Sequence, residues 1–179
     1  SSPVYWIVET CELLPREADR PNVLVFLVDT LRADHLGAFG YDRDTSPRFD
    51  ALAAEGLRFT QTISQSSWTR PAVASLLTGV YPPVHQARDR GDRVRSDLPT
   101  LAGALRDAGY ETHAFMSNPT CLPTWGFGSG FSRFVDVNSY EVEPDKDARV
   151  VDAALEALDE LAGRPWFLYV HAMGPHNPY

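Results

Sequence analysis

Asn22-Val23-Leu24-Val25-Phe26-Leu27-Val28-Asp29 decides the fold: an unbroken apolar run, half of it valine, closed by a carboxylate. A run with no polar alternation predicts a strand covered on both faces, as in a parallel sheet. Val23 to Val28 is also the longest apolar run near the start, far short of the roughly 20 residues a membrane span needs. An acid at the carboxyl end of such a strand stands where ligands bind in open α/β sheets.

Outward from this strand the chain alternates. Residues 1–20 form a mixed lead-in that ends in a polar stretch, and residues 21–179 read as one domain. Ser46-Pro47 followed by Phe49, Leu52 and Ala53 predicts an N-capped helix closing at Gly56, with a short strand over 57–63 behind it. Thr69, ahead of Pro71 and the apolar run to Leu77, predicts a second helix that stops at Gly79, with Thr69 as its N-cap. Residues 81–97, rich in charge and carrying Pro82 and Pro83, read as a surface loop. A helix over 98–108 and a strand over 111–116 follow. Residues 117–140, with three glycines and two prolines, read as irregular structure folded over a site or a neighbour. Apolar residues at 150, 151, 154, 155, 158, 161 and 162 predict an amphipathic helix over 145–163. A last buried strand over 166–170 delivers His171 to its carboxyl end. Strands alternating with helices predict an α/β fold, a mostly parallel sheet flanked by helices.

The chain is 44% hydrophobic and 22% charged, with a formal net charge of −8 and a pI near 5.0. That balance opposes non-specific binding to nucleic acid or to an anionic membrane surface. An anion would need a local positive site, and all but one of the 16 basic residues are arginines, Lys146 being the exception. Cys11 and Cys121 make neither a disulfide framework nor a metal knuckle, so compartment stays open. No secretory signal is visible, although a chain starting at Ser1 is compatible with a leader already removed.

Three elements of chemistry fall where a parallel sheet would gather them. Asp29 reads either as a turn residue or as a hard oxygen ligand for a divalent cation. Thr69 reads either as a helix cap or as a hydroxyl able to attack an anion held at the helix N-terminus. His171 reads as a core histidine or, with His176, as a donor to anionic oxygens and to a leaving group.

Pro21-Asn22-Val23-Leu24-Val25-Phe26-Leu27-Val28-Asp29-Thr30-Leu31-Arg32-Ala33-Asp34-His35-Leu36-Gly37 resembles the opening of the sulfatase family, in the alkaline-phosphatase superfamily. Thr45 to Gly56, Ala74-Ser75-Leu76-Leu77-Thr78-Gly79-Val80-Tyr81-Pro82 and His171-Ala172-Met173-Gly174-Pro175-His176-Asn177-Pro178-Tyr179 resemble it in the same order and spacing. The family's catalytic pattern is Cys or Ser, any residue, Pro, a small residue and Arg, where Cys or Ser matures to formylglycine. Counting back from Thr78-Gly79 places Thr69 at the nucleophile, Pro71 and Ala72 in register, and Val73 at the Arg position. Formylglycine is therefore not expected, and the plain threonine resembles the phosphodiesterase and phosphotransferase branches of the superfamily.

What the resemblance implies is a metal-dependent hydrolase of sulfuric or phosphoric esters, with a small molecule or a glycan as substrate. Thr69 and His171 would be catalytic. His176, Arg70 and Asn118 would bind the substrate, Arg70 either replacing a lost positive charge or standing solvated at the helix start. Asp29 and Thr69 would hold a divalent metal, calcium first, with magnesium, manganese or zinc as alternatives. Typical members carry two acids after the first strand and a Gly-Lys-Trp-His element, where this chain has Asp29-Thr30 and Met116-Ser117-Asn118-Pro119. Their remaining metal acids lie well beyond the Pro-His-x-Pro-Tyr element. Residues 21–179 alone are thus expected to be incomplete at the C-terminus and to lack activity, or to serve as a non-catalytic binding module. Their expected partner is the missing half, or a second copy paired through an exposed sheet edge. By resemblance, the compartment would be periplasmic or extracellular.

Overall fold

A computed structural model describes residues 20–137 and 146–176. Its sheet has four strands, β1 (Val23–Val28), β2 (Glu111–Met116), β3 (Arg133–Asp136) and β4 (Trp166–Ala172), all parallel and in the spatial order β1-β4-β2-β3. Five helices accompany it: α1 (Pro47–Glu55), α2 (Thr69–Thr78), α3 (Pro82–His85), α4 (Leu101–Asp107) and α5 (Lys146–Glu160).

Both faces of the sheet are covered, which is why the strands need no polar alternation. On one face Val25, Leu27, Ala114, Met116, Phe167 and Tyr169 pack with Val73, Ala74 and Leu77 of α2. On the other, Phe115, Leu168 and Val170 meet Val150, Ala154 and Ala157 of α5. The alternation of strand side chains therefore assigns each residue of β4 to a face, and sends Tyr169 and His171 together towards α2.

Several local expectations change. Residues 57–63 form no strand: no described strand pairs with them, and Leu57 and Ile63 stand 77% and 86% exposed. Residues 117–140 include β3, and the predicted surface loop 81–97 contains α3, with His85 and Ala87 fully buried. His85 accepts from the Ala87 N–H and pairs with Ser75 Oγ at 3.0 Å, stapling this segment to the flank of α2. Ser46 stands at the cap position of α1 as expected, but its hydroxyl makes no cap hydrogen bond and donates to Asp50. Among the described residues β1 is an edge of the sheet, with Leu24 exposed on it.

Gly130 sits at φ +89 against α4, where an added Cβ would lie 2.2 Å from Gly103 N. Both the left-handed backbone and the backbone contact exclude a side chain. Gly130→Ala is expected to destabilise the fold by about 3 kcal/mol or more, read from the midpoint of urea unfolding.

Candidate active site

Four segments converge on one carboxylate at the carboxyl ends of β1, β4 and β2. The Asp29 N–H donates to Ala172 O at 2.9 Å, extending the β1–β4 ladder by one bond. Thr30 then turns the chain at φ 55, so Asp29 is the last residue of β1's line. Asp29 Oδ2 accepts from Thr69 Oγ1 at 2.9 Å, from Asn118 Nδ2 at 3.0 Å, and faces His171 Nε2 at 3.2 Å. Asp29, Asn118 and His171 are buried, and Thr69 is partly so.

Each partner is aimed by its own surroundings. Thr69 is the first residue of α2 rather than its cap: Trp68 occupies the cap position, which leaves the Thr69 hydroxyl free to point at Asp29. The Asn118 side-chain oxygen accepts from Thr120 N at 2.9 Å and Oγ1 at 2.7 Å, which turns the amide NH2 towards Asp29. His171 Nδ1 lies 3.1 Å from Tyr169 Oη. His176 closes the turn after β4 through its N–H to Met173 O at 2.7 Å, and its ring is partly exposed on the same rim.

Burial alone would push the Asp29 carboxyl up. The His171 hydrogen bond, the charges that His171 and His176 carry when protonated, and the Thr69 hydrogen bond outweigh it and hold the group below the ordinary carboxylate range. Asp29 is thus a charged acceptor at neutral pH, suited to orienting a hydroxyl and poorly suited to keeping its proton.

The reading of Arg70 as a substrate ligand is corrected. Its guanidinium is 2% exposed, with Nε donating to Thr120 O and Nη1 to the carbonyls of Asp89, Arg90 and Asp92. It also stacks 4.5 Å from the Trp125 ring centre. Those carbonyls need its donors, so Arg70 ties two loops to the start of α2 and has no fork to offer an oxyanion. Tyr169 and Thr120 escaped the sequence reading, although Tyr169 could have been found from its place two residues before His171 on one strand.

The profile of the sulfatase family matches residues 21–179. The chain belongs to the sulfatase family. Arylsulfatase A of Bos taurus is 39% identical over 102 residues, 53% of this chain and 20% of that one. The N-acetylglucosamine-6-O-sulfatase of Bacteroides thetaiotaomicron is 24% identical over 176 residues, 90% of this chain and 32% of that one. The solved phosphonate monoester hydrolase of Agrobacterium radiobacter superposes with a TM-score of 0.71 at 24% identity, over 89% of this chain and 42% of that one. The parallel sheet flanked by helices is thus the alkaline-phosphatase-like fold of sulfatases, and this chain spans less than half the length of each relative.

The sulfatase family's divalent metal does not fit the described residues taken alone. No group of three or more His, Cys, Asp or Glu side chains able to hold an ion is found among them. Asp29 offers one carboxylate and Thr69 one hydroxyl. Thr30, which stands where typical sulfatases carry a second acid, adds only a buried hydroxyl without a hydrogen-bond partner among the described residues. A hard dication such as calcium takes six or more oxygens.

Proposed function

We propose that the protein is a hydrolase of sulfuric or phosphoric esters in which residues 21–179 carry the nucleophile, Thr69. The observation that supports this most is the meeting of Thr69, Asn118 and His171 at Asp29 Oδ2, beside the N-terminus of α2. The N–H groups of the first helical turn have no intrahelical partners, so the oxygens of a tetrahedral ester have donors to meet. Asp29 aims the hydroxyl. Oγ1 of Thr69 forms the bond to sulfur or phosphorus, the bond to the alcohol oxygen breaks, and water cleaves the Thr69 ester afterwards. His176, partly exposed on the rim, passes protons between these oxygens and solvent. The substrate class is a small-molecule or glycan sulfate, phosphate or phosphonate ester. Asp29 and Thr69 are the groups that would contribute to a metal shell completed by other residues.

Hydrolysis of aryl sulfates, phosphodiesters and phosphonates by the full-length gene product carrying these residues tests this reading. Thr69→Ala is expected to lower turnover about a thousandfold or more. Unchanged turnover would remove Thr69 from the chemistry.

A second reading is a sulfatase-like binding module without turnover, favoured by Val73 at the family's Arg position and by the single carboxylate. It expects divalent cations to leave the melting temperature of the chain unchanged. A metal-dependent rise argues against it.

A further inference from the structure

We propose that Tyr169 is a positioning residue of this site, its hydroxyl donating to Nδ1 of His171 so that the ring is held with Nε2–H directed at Asp29. The inference rests on the hydrolase reading for its consequence, but its geometry stands apart from any turnover. Tyr169 and His171 lie two residues apart on β4, on the face covered by α2, and both are fully buried. Oη and Nδ1 are 3.1 Å apart, with the rings inclined at 77°.

A neutral imidazole carries one donor and one acceptor nitrogen, and the neighbours decide which is which. Asp29 Oδ2 already accepts from Thr69 Oγ1 and Asn118 Nδ2, so it is the acceptor of the cluster, and Nε2, 3.2 Å away, meets it as the donor. Nδ1 is then a lone pair in an interior without solvent, and a hydroxyl is a group that can satisfy it without adding a charge. The chain Tyr169 Oη–H to Nδ1, then Nε2–H to Asp29 Oδ2, places the orientation of Asp29 under the control of β4. Asp29 in turn aims Thr69 Oγ1 at 2.9 Å. Tyr169 touches neither the ester nor the nucleophile and acts only through these bonds, as outer partners of catalytic histidines do.

Nitrogen NMR of the histidines, assigned through His171→Gln, reads the arrangement directly. In the native protein Nε2 of His171 is expected to carry the proton, and Nδ1 to resonate as a hydrogen-bonded pyridine-type nitrogen. Tyr169→Phe is expected to move Nδ1 to the position of an unbonded pyridine-type nitrogen, and to lower kcat about 10- to 100-fold with KM little changed. A protonated Nδ1 in the native protein overturns the proposal, even if Tyr169→Phe does not fold. So does a folded Phe variant whose Nδ1 signal and kcat both match the native values. Turnover that survives Thr69→Ala alongside a shifted Nδ1 leaves Tyr169 in place and removes the Thr69 mechanism instead.

Discussion

Replacing Asp29 with alanine is expected to destabilise the fold by about 3–5 kcal/mol, since each buried donor left unpaired costs about 1–3 kcal/mol. Three donors, Thr69 Oγ1, Asn118 Nδ2 and His171 Nε2, lose their shared acceptor, the last two where their side chains are buried. Against a typical total of about 5–15 kcal/mol, that loss leaves a marginal fold. Asp29→Asn keeps the volume but turns an NH2 towards at least one of those donors, so it is expected to recover only part of the loss. Urea unfolding of the two variants separates the cases. The pH dependence follows from the sign of the Asp29 shift. Its folded carboxyl titrates below the unfolded value of about 3.9, so its contribution is complete above that value and is lost as pH falls through the folded one. The Asp29→Ala protein should therefore lose less stability on acidification than the native protein, and a parallel decline in both would contradict this role.

Arg70→Ala is expected to have an effect of similar size, about 3–5 kcal/mol, although Arg70 was read from the sequence as a ligand or a solvated charge. The variant leaves the carbonyls of Thr120, Asp89, Arg90 and Asp92 facing a cavity beside the Trp125 ring. Hydrogen exchange should rise across residues 89–92 and 118–121 while the strands stay protected at comparable denaturant. Arg70→Lys keeps the charge but not the planar fork, and is expected to restore less than half of the loss. An alanine variant as stable as the native protein would show that these carbonyls find water or each other.

The contrast between Arg70 and Asp29 shows what was legible in the sequence. That Asp29, Thr69 and His171 meet at one rim was legible, because strand ends and helix starts are local signals and parallel topology brings them together. Arg70 was misread because its fate is set by loops 19 to 50 residues away, whose path no periodicity encodes. The strand expected over 57–63 failed for a related reason. Its alternation of Leu57, Phe59 and Ile63 satisfies the pattern of a strand, but a strand also requires a neighbouring backbone. Asn118 was named as a substrate ligand only through the family resemblance. Thr120 turns its amide NH2 towards Asp29, a side-chain relation that the residue order does not announce.

The spatial order β1-β4-β2-β3 has a bearing on how this protein is made. The strand that joins β1 to β2 is the last of the four to be synthesised, so a nascent chain cut at residue 160 holds a first strand without its neighbour among the described strands. The pairings of β1 span more than 140 positions, from Val23 with Phe167 to Val28 with Ala172, a topology that delays folding. Ribosome-stalled chains should stay sensitive to protease until β4 has cleared the exit tunnel, and during that interval the apolar run at 23–28 is a natural client for a chaperone.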